Sequence, residues 1–163
     1  MTPAELLADN LSRTFKMMTD TLADFSDADL LVRPCPGANH AAWQLGHLAM
    51  AEVGLLNGVK EGSLATPPAD FASKFTKETS SNDDPAFFPK KAAILDQFTK
   101  TNNAVVAWIK TLKPADLDQP ITGRMAAFVP TVGHLAAMLS GHVMMHTGQF
   151  QVIRRKLGKP ILF

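Results

Sequence analysis

The stretch HVMMHTGQ, residues 142–149, places two imidazoles four residues apart and follows them with a glycine and a glutamine. On a helix, positions four apart share a face about 6 Å from one another, a separation that lets two imidazoles converge on one ion. His142 and His146 fall on the repeat formed by Leu135, Leu139, Gln149, Ile153 and Leu157, where core residues are due. Leaving two imidazoles without partners in such a seam would be costly. A second segment has the same anomaly: His47 stands in a seam with Trp43, Met50 and Gly54.

Three inward-facing histidines on two helices suggest a facial three-histidine metal site with one position open for water or substrate. Zn²⁺ fits that donor set, with Ni²⁺, Co²⁺, Fe²⁺ and Mn²⁺ also compatible. Core histidines satisfied by hydrogen bonds, with no metal, are the alternative. For an isolated HxxxH that alternative is the commoner outcome, and His47 is what brings the metal reading level with it.

The other candidates are weaker. His40 lies about 10 Å from His47 along a helix, and His134 about 12 Å from His142, so neither shares an ion with its helix-mate; capping or surface roles are expected. Glu52 is off the face of His47 and reads as an exposed glutamate, with a supporting role at the site as the alternative. Gln149 is a candidate to hold a ligand imidazole or touch substrate. Gly148 permits close helix approach, and the eight methionines read as flexible core filling. Cys35 is the single cysteine, so no internal disulfide can form, and its RPCPG loop makes it a poor nucleophile. No ExxH, HExxH, GxSxG or glycine-rich phosphate loop occurs, which argues against ferritin-like di-iron, zinc-peptidase and serine-hydrolase chemistry.

Four amphipathic helices can position these residues. The first is expected over Thr2 to Phe25, with Leu7, Leu11, Phe15, Met18 and Leu22 on its seam, and a short capped turn at SDADLL follows. The second runs from Asn39 to Asn57 with Gly58 as its stop. The third runs from Pro89 to Leu112, and the fourth begins at Thr131 and ends at RRKLGKP, its basic side chains suited to a helix C-terminus. Residues 59–88 form a long, poorly periodic linker that Phe71, Phe75, Phe87 and Phe88 can pin down. The expectation is one all-α domain over residues 1–163, a four-helix bundle whose linker makes a long crossover between helices two and three.

Bulk composition narrows the function. The 163 residues carry 46% hydrophobic and 19% charged side chains with a formal net charge of +1. No basic field for nucleic acid and no membrane span is expected, and a cytoplasmic location is the default.

PGANHAAWQLGHLAMAE around His47, together with HxxxHxGQ and RRxLGxP at the end of the chain, resembles the DinB-like (DinB/YfiT) metalloenzyme family. The order of elements matches over nearly the whole chain. The resemblance implies an up-down-down-up bundle, a divalent metal held by His47, His142 and His146, and a homodimer. Its characterised members include transferases and isomerases that use low-molecular-weight thiols, so it implies a thiol-dependent transferase or related hydrolase acting on a small electrophile. A non-catalytic metal-binding bundle, structural or ligand-sensing, is the alternative. No general base is assigned.

Overall fold

The computed structural model describes residues 1–162, apart from the side chain of Arg124; Phe163, the last residue of the expected domain, lies outside the described residues. The helices are α1 (Pro3–Thr21), α2 (Ala41–Val59), the single turn α3 (Ala69–Ala72), α4 (Lys91–Lys110), the single turn α5 (Pro114–Leu117) and α6 (Val132–Lys156). No strand occurs among the described residues beyond an isolated bridge between Pro120 and Thr131. Among the described residues no helix is long and apolar enough to cross a membrane.

Local chemistry explains where the long helices begin. Thr2 and Glu5 form a reciprocal capping box at the start of α1, with Pro3 in the first turn. The Nδ1 of His40 accepts from the Trp43 N–H at 3.1 Å and caps α2. Thr131 caps α6, its hydroxyl accepting from the His134 N–H. The far end of α6 closes on Gly158 at φ +67, where Lys159 N–H bonds back to Arg154 O and Gly158 N–H to Arg155 O.

The expected stop at Gly58 is not observed, because α2 continues to Val59 and Gly58 has no positive φ. Asn57 instead ties down the following turn by exchanging two hydrogen bonds with the backbone of Leu64. The left-handed glycine after α2 is Gly62, at φ +73.

Contacts between helix ends fix the topology. Arg154, near the C-terminus of α6, donates to Thr21 O at the C-terminus of α1, so these helices are parallel. Lys91 opens α4 and donates to the carbonyls of Leu22, Ala23 and Phe25 just beyond α1, so α4 runs against α1. Glu52 meets Asn102 near the middle of α2 and α4, so these helices are neighbours. Gly58 and Leu135 border one cleft at opposite ends of their helices, so α2 and α6 are antiparallel. The bundle is up-down-down-up, with the linker between α2 and α4 crossing its length.

That linker is anchored as its phenylalanines suggest: Phe71, Phe75 and Phe88 are buried and Phe87 half-buried. Phe75 lies so close to α2 that a Cβ at Gly46 would run into its ring. Arg154, the first basic residue of RRKLGKP, is buried in the bundle. Its guanidinium is only 1% exposed and binds Asp24, Thr21 O and Pro160 O, clamping α6 to α1.

Candidate metal centre

The first two turns of α2 carry Trp43, Gln44 and His47, and the middle of α6 carries His142 and His146. Because α2 and α6 are adjacent and antiparallel, these faces meet. One ring nitrogen from each of His47, His142 and His146 lies within 4.8 Å of the other two. His142 Nε2 and His146 Nε2 are 3.2 Å apart, and the His47 ring sits 5.4 Å and 5.6 Å from theirs, centroid to centroid. Among the described residues no carboxylate or thiol joins this group. His146 is buried, whereas His47 and His142 are half-buried and form the open side of the cluster.

Electrostatics keeps the cluster uncharged. Burial lowers the pKa of all three imidazoles. At His146 burial, then the neighbouring His142 and His47, push the value down to about 3. Neutral imidazoles with free lone pairs are the state that metal ligation requires.

A residue that the sequence reading missed supports His146. Gln44 Oε1 lies 2.6 Å from His146 Nδ1, and Gln44 Nε2 donates to Asn39 O at 2.5 Å, which orients the amide with its oxygen toward the imidazole. Nδ1–H therefore donates to Gln44, and the Nε2 lone pair faces His142 and His47. Two nitrogens bound tetrahedrally to one zinc at about 2.0–2.1 Å are about 3.3 Å apart, so the observed Nε2–Nε2 separation suits a shared cation. The signal for Gln44 was present in the sequence: a polar residue one turn before His47 in an otherwise apolar seam.

His47 is backed by Trp43, whose indole stacks on it at 4.9 Å with 7° between the planes. The indole Nε1–H donates to Thr76 O and Thr79 Oγ1 of the crossover linker. The linker therefore fixes Trp43, and Trp43 limits the ring orientations open to His47.

The remaining candidates lie apart from the cluster. His40 is fully buried as the α2 cap, and its Nε2 bonds Asn82 O at 3.0 Å. His134 is exposed and pairs with Thr131. Gln149 is half-buried one turn past His146 and makes no hydrogen bond to the three histidines. Cys35 is exposed on its loop.

Glu52 departs most from expectation. It is 1% exposed, because α2 is covered by α4 on one side and α6 on another, and it points at α4 rather than at solvent. Its Oε1 accepts a long 3.5 Å bond from Asn102, its Oε2 has no partner, and burial raises its pKa to about 8. A cleft of about 460 Å³ bordered by Leu30, Leu31, Pro85 and Phe88 includes none of the three histidines in its wall.

The model of the DinB superfamily matches residues 10–150. Among solved structures, a Bacillus subtilis protein, YfiT, described as "a probable metal-dependent hydrolase with an unusual four-helix bundle topology", superposes with a TM-score of 0.68 at 15% identity, over 96% of this chain and 89% of its own. A conserved protein from Enterococcus faecalis superposes with a TM-score of 0.67 at 18% identity, over 98% and 99%. At these identities the likeness is one of fold. No curated protein matches the chain.

Proposed function

Since this chain belongs to the DinB superfamily, we propose that it is a divalent-metal-dependent enzyme, most simply a hydrolase of a small electrophilic molecule, with His47, His142 and His146 as the metal ligands. The observation that carries this reading is the convergence of three neutral imidazole nitrogens within 4.8 Å, with no fourth histidine, cysteine or carboxylate among the described residues and two of the rings partly open to solvent. Three protein ligands and an open position are the arrangement of catalytic zinc, whereas structural sites are closed by four. The description of YfiT supports hydrolysis over transfer.

When bound, the ion would supply Lewis acidity, polarising a substrate oxygen and acidifying a water or thiol beside it. The chain's own residues do the rest. His146 is held through Nδ1 by Gln44, and His47 is backed by Trp43. The half-buried His47 and His142 form the side from which substrate would approach. No side chain is assigned as general base, and Glu52 is a poor one because it faces α4. Zn²⁺ or Ni²⁺ suits three imidazoles best.

The outer face of α6 supports the homodimer. Ala137, Gly141, Met144, Met145, Gly148 and Val152 are exposed along it, with Met145 at 54% and Val152 at 45%.

Metal analysis of the purified protein after reconstitution tests the central claim. Wild type is expected to hold one equivalent of metal, and His142→Ala to lose it. Wild type that takes up no metal sinks the reading. An ester, amide and lactone panel, run with and without added thiols, then separates hydrolysis from thiol transfer.

A further inference from the structure

A small cleft lies along the α2–α6 seam from the three histidines. Gly54 lies seven residues past His47 on α2, and Leu135 lies seven residues before His142 on α6. Seven residues bring a helix back to nearly the same face, about 10 Å along its axis. Because α2 and α6 are antiparallel, both steps lead the same way, and Gly54 and Leu135 meet again in the wall of one cleft. Its other walls include Leu55, Gly58, Ile121 and Met125, and its volume is about 150 Å³. Among the described residues no charged side chain lines it.

Two glycines on a helix four residues apart are an unexpected choice, since each costs about 1 kcal/mol of helix propensity against alanine. Packing does not demand them: a Cβ at Gly54 or at Gly58 would meet no atom within 4 Å. Their effect is to leave the cleft open on its α2 side. Midway along the seam, Ala51 and Met138 are half-buried and present one small and one flexible side chain. The larger cleft near Phe88 has no such alignment with the histidines.

We propose that this cleft is the specificity subsite of the metal-dependent reaction. It takes the apolar tail of a small, uncharged substrate whose reacting group lies at the histidines about 10 Å away. An apolar space of this size accommodates about one benzene ring or a chain of similar volume. A charged tail would be desolvated there against Leu55, Ile121, Met125 and Leu135. The inference rests on the metal-centre reading above.

Straight-chain alkyl hydroxamates of increasing length test it, because the hydroxamate anchors on the metal while the chain probes the seam between α2 and α6. Zinc-loaded protein is titrated calorimetrically with the acetyl, butyryl, hexanoyl, octanoyl and decanoyl members. The expected profile is nearly flat for short chains, then rises about fourfold per methylene once the chain enters the cleft, for at least a tenfold gain overall. Gly54→Leu fills the cleft with a better helix former, so its melting temperature should hold or rise while its decanoyl-to-acetyl affinity ratio falls toward one. Gly54→Ala should lower the ratio by less. A chain-length profile that is flat in wild type, or identical in wild type and Gly54→Leu, overturns the subsite and leaves the metal centre standing. Failure of wild type to bind zinc overturns both.

Discussion

The Trp43 indole lies parallel to the His47 imidazole, 4.9 Å away, and its N–H is anchored on the crossover linker at Thr76 and Thr79. The linker between α2 and α4 thereby reaches the histidine cluster through a single side chain. Trp43→Leu removes the stacking surface and the N–H together. The expected result is metal affinity weakened about three- to tenfold, the worth of one aromatic pair. Trp43→Phe keeps a flat ring and should recover most of it. Competition with a chelating dye measures the affinity, and the visible spectrum of the cobalt form reports whether ligand geometry has changed. An unaltered cobalt spectrum and affinity in Trp43→Leu would show that the stack is packing alone.

Gln44 acts on the other side of the cluster. Its Oε1 accepts from His146 Nδ1, which leaves the Nε2 lone pair free to bind metal. Gln44→Leu preserves volume but lets the proton move between ring nitrogens and the ring rotate. Outer partners of this kind are worth about 10- to 100-fold in metal affinity. Gln44→Glu keeps an acceptor at the same place and should restore binding in part. Equal affinity across wild type, Gln44→Leu and Gln44→Glu would exclude this role.

The two residues that hold the histidines in place were less legible in the sequence than the histidines themselves. His47, His142 and His146 stand out because they interrupt apolar seams, and helical periodicity alone brings His142 and His146 together. Trp43 obeys its seam, so nothing marked it as more than core. Glu52 was misplaced because one helix's pattern can define only one inner face. Coverage of α2 by both α4 and α6 depends on topology, and that depends on contacts such as Lys91 with the end of α1. Gly58 was misread for a related reason. A glycine ends a helix only where the chain turns left-handed, and the Asn57–Leu64 tie moves that turn to Gly62.

Arg154 separates what the C-terminal motif does for the fold from what α6 does at the site. Its guanidinium is buried against Asp24 and the carbonyls of Thr21 and Pro160, about 12 Å along the helix from His146. Removing a buried, fully bonded cation typically costs about 3–5 kcal/mol. Asp24 is itself half-exposed and stays hydrated, so the loss from Arg154→Met should sit at or below the lower end. Urea unfolding measures it. Metal affinity of the folded fraction should match wild type, and a loss of affinity without a loss of stability would contradict the division.

Glu52 makes stability depend on pH in a direction opposite to that of a salt-bridged carboxylate. Its folded pKa, raised to about 8 by burial, exceeds the ordinary glutamate value of 4.5. Below pH 4.5 both folded and unfolded chains hold the proton, and the contribution is fully present. As pH rises from there toward 8, the unfolded chain releases the proton while the folded one keeps it, so stability falls by up to about 1.4 kcal/mol per pH unit. Above about pH 8 both forms are ionised and the loss levels off. Glu52→Gln has nearly the same shape, can accept from Asn102 in the same way, and never titrates. The variant should match wild type near pH 4.5 and exceed it by several kcal/mol at pH 8, with the gap opening steadily between. Unfolding both proteins in urea at pH 5, 6, 7 and 8, in the same metal state, cancels contributions from the histidines. Parallel curves across that range would mean that the carboxyl ionises normally in the folded chain.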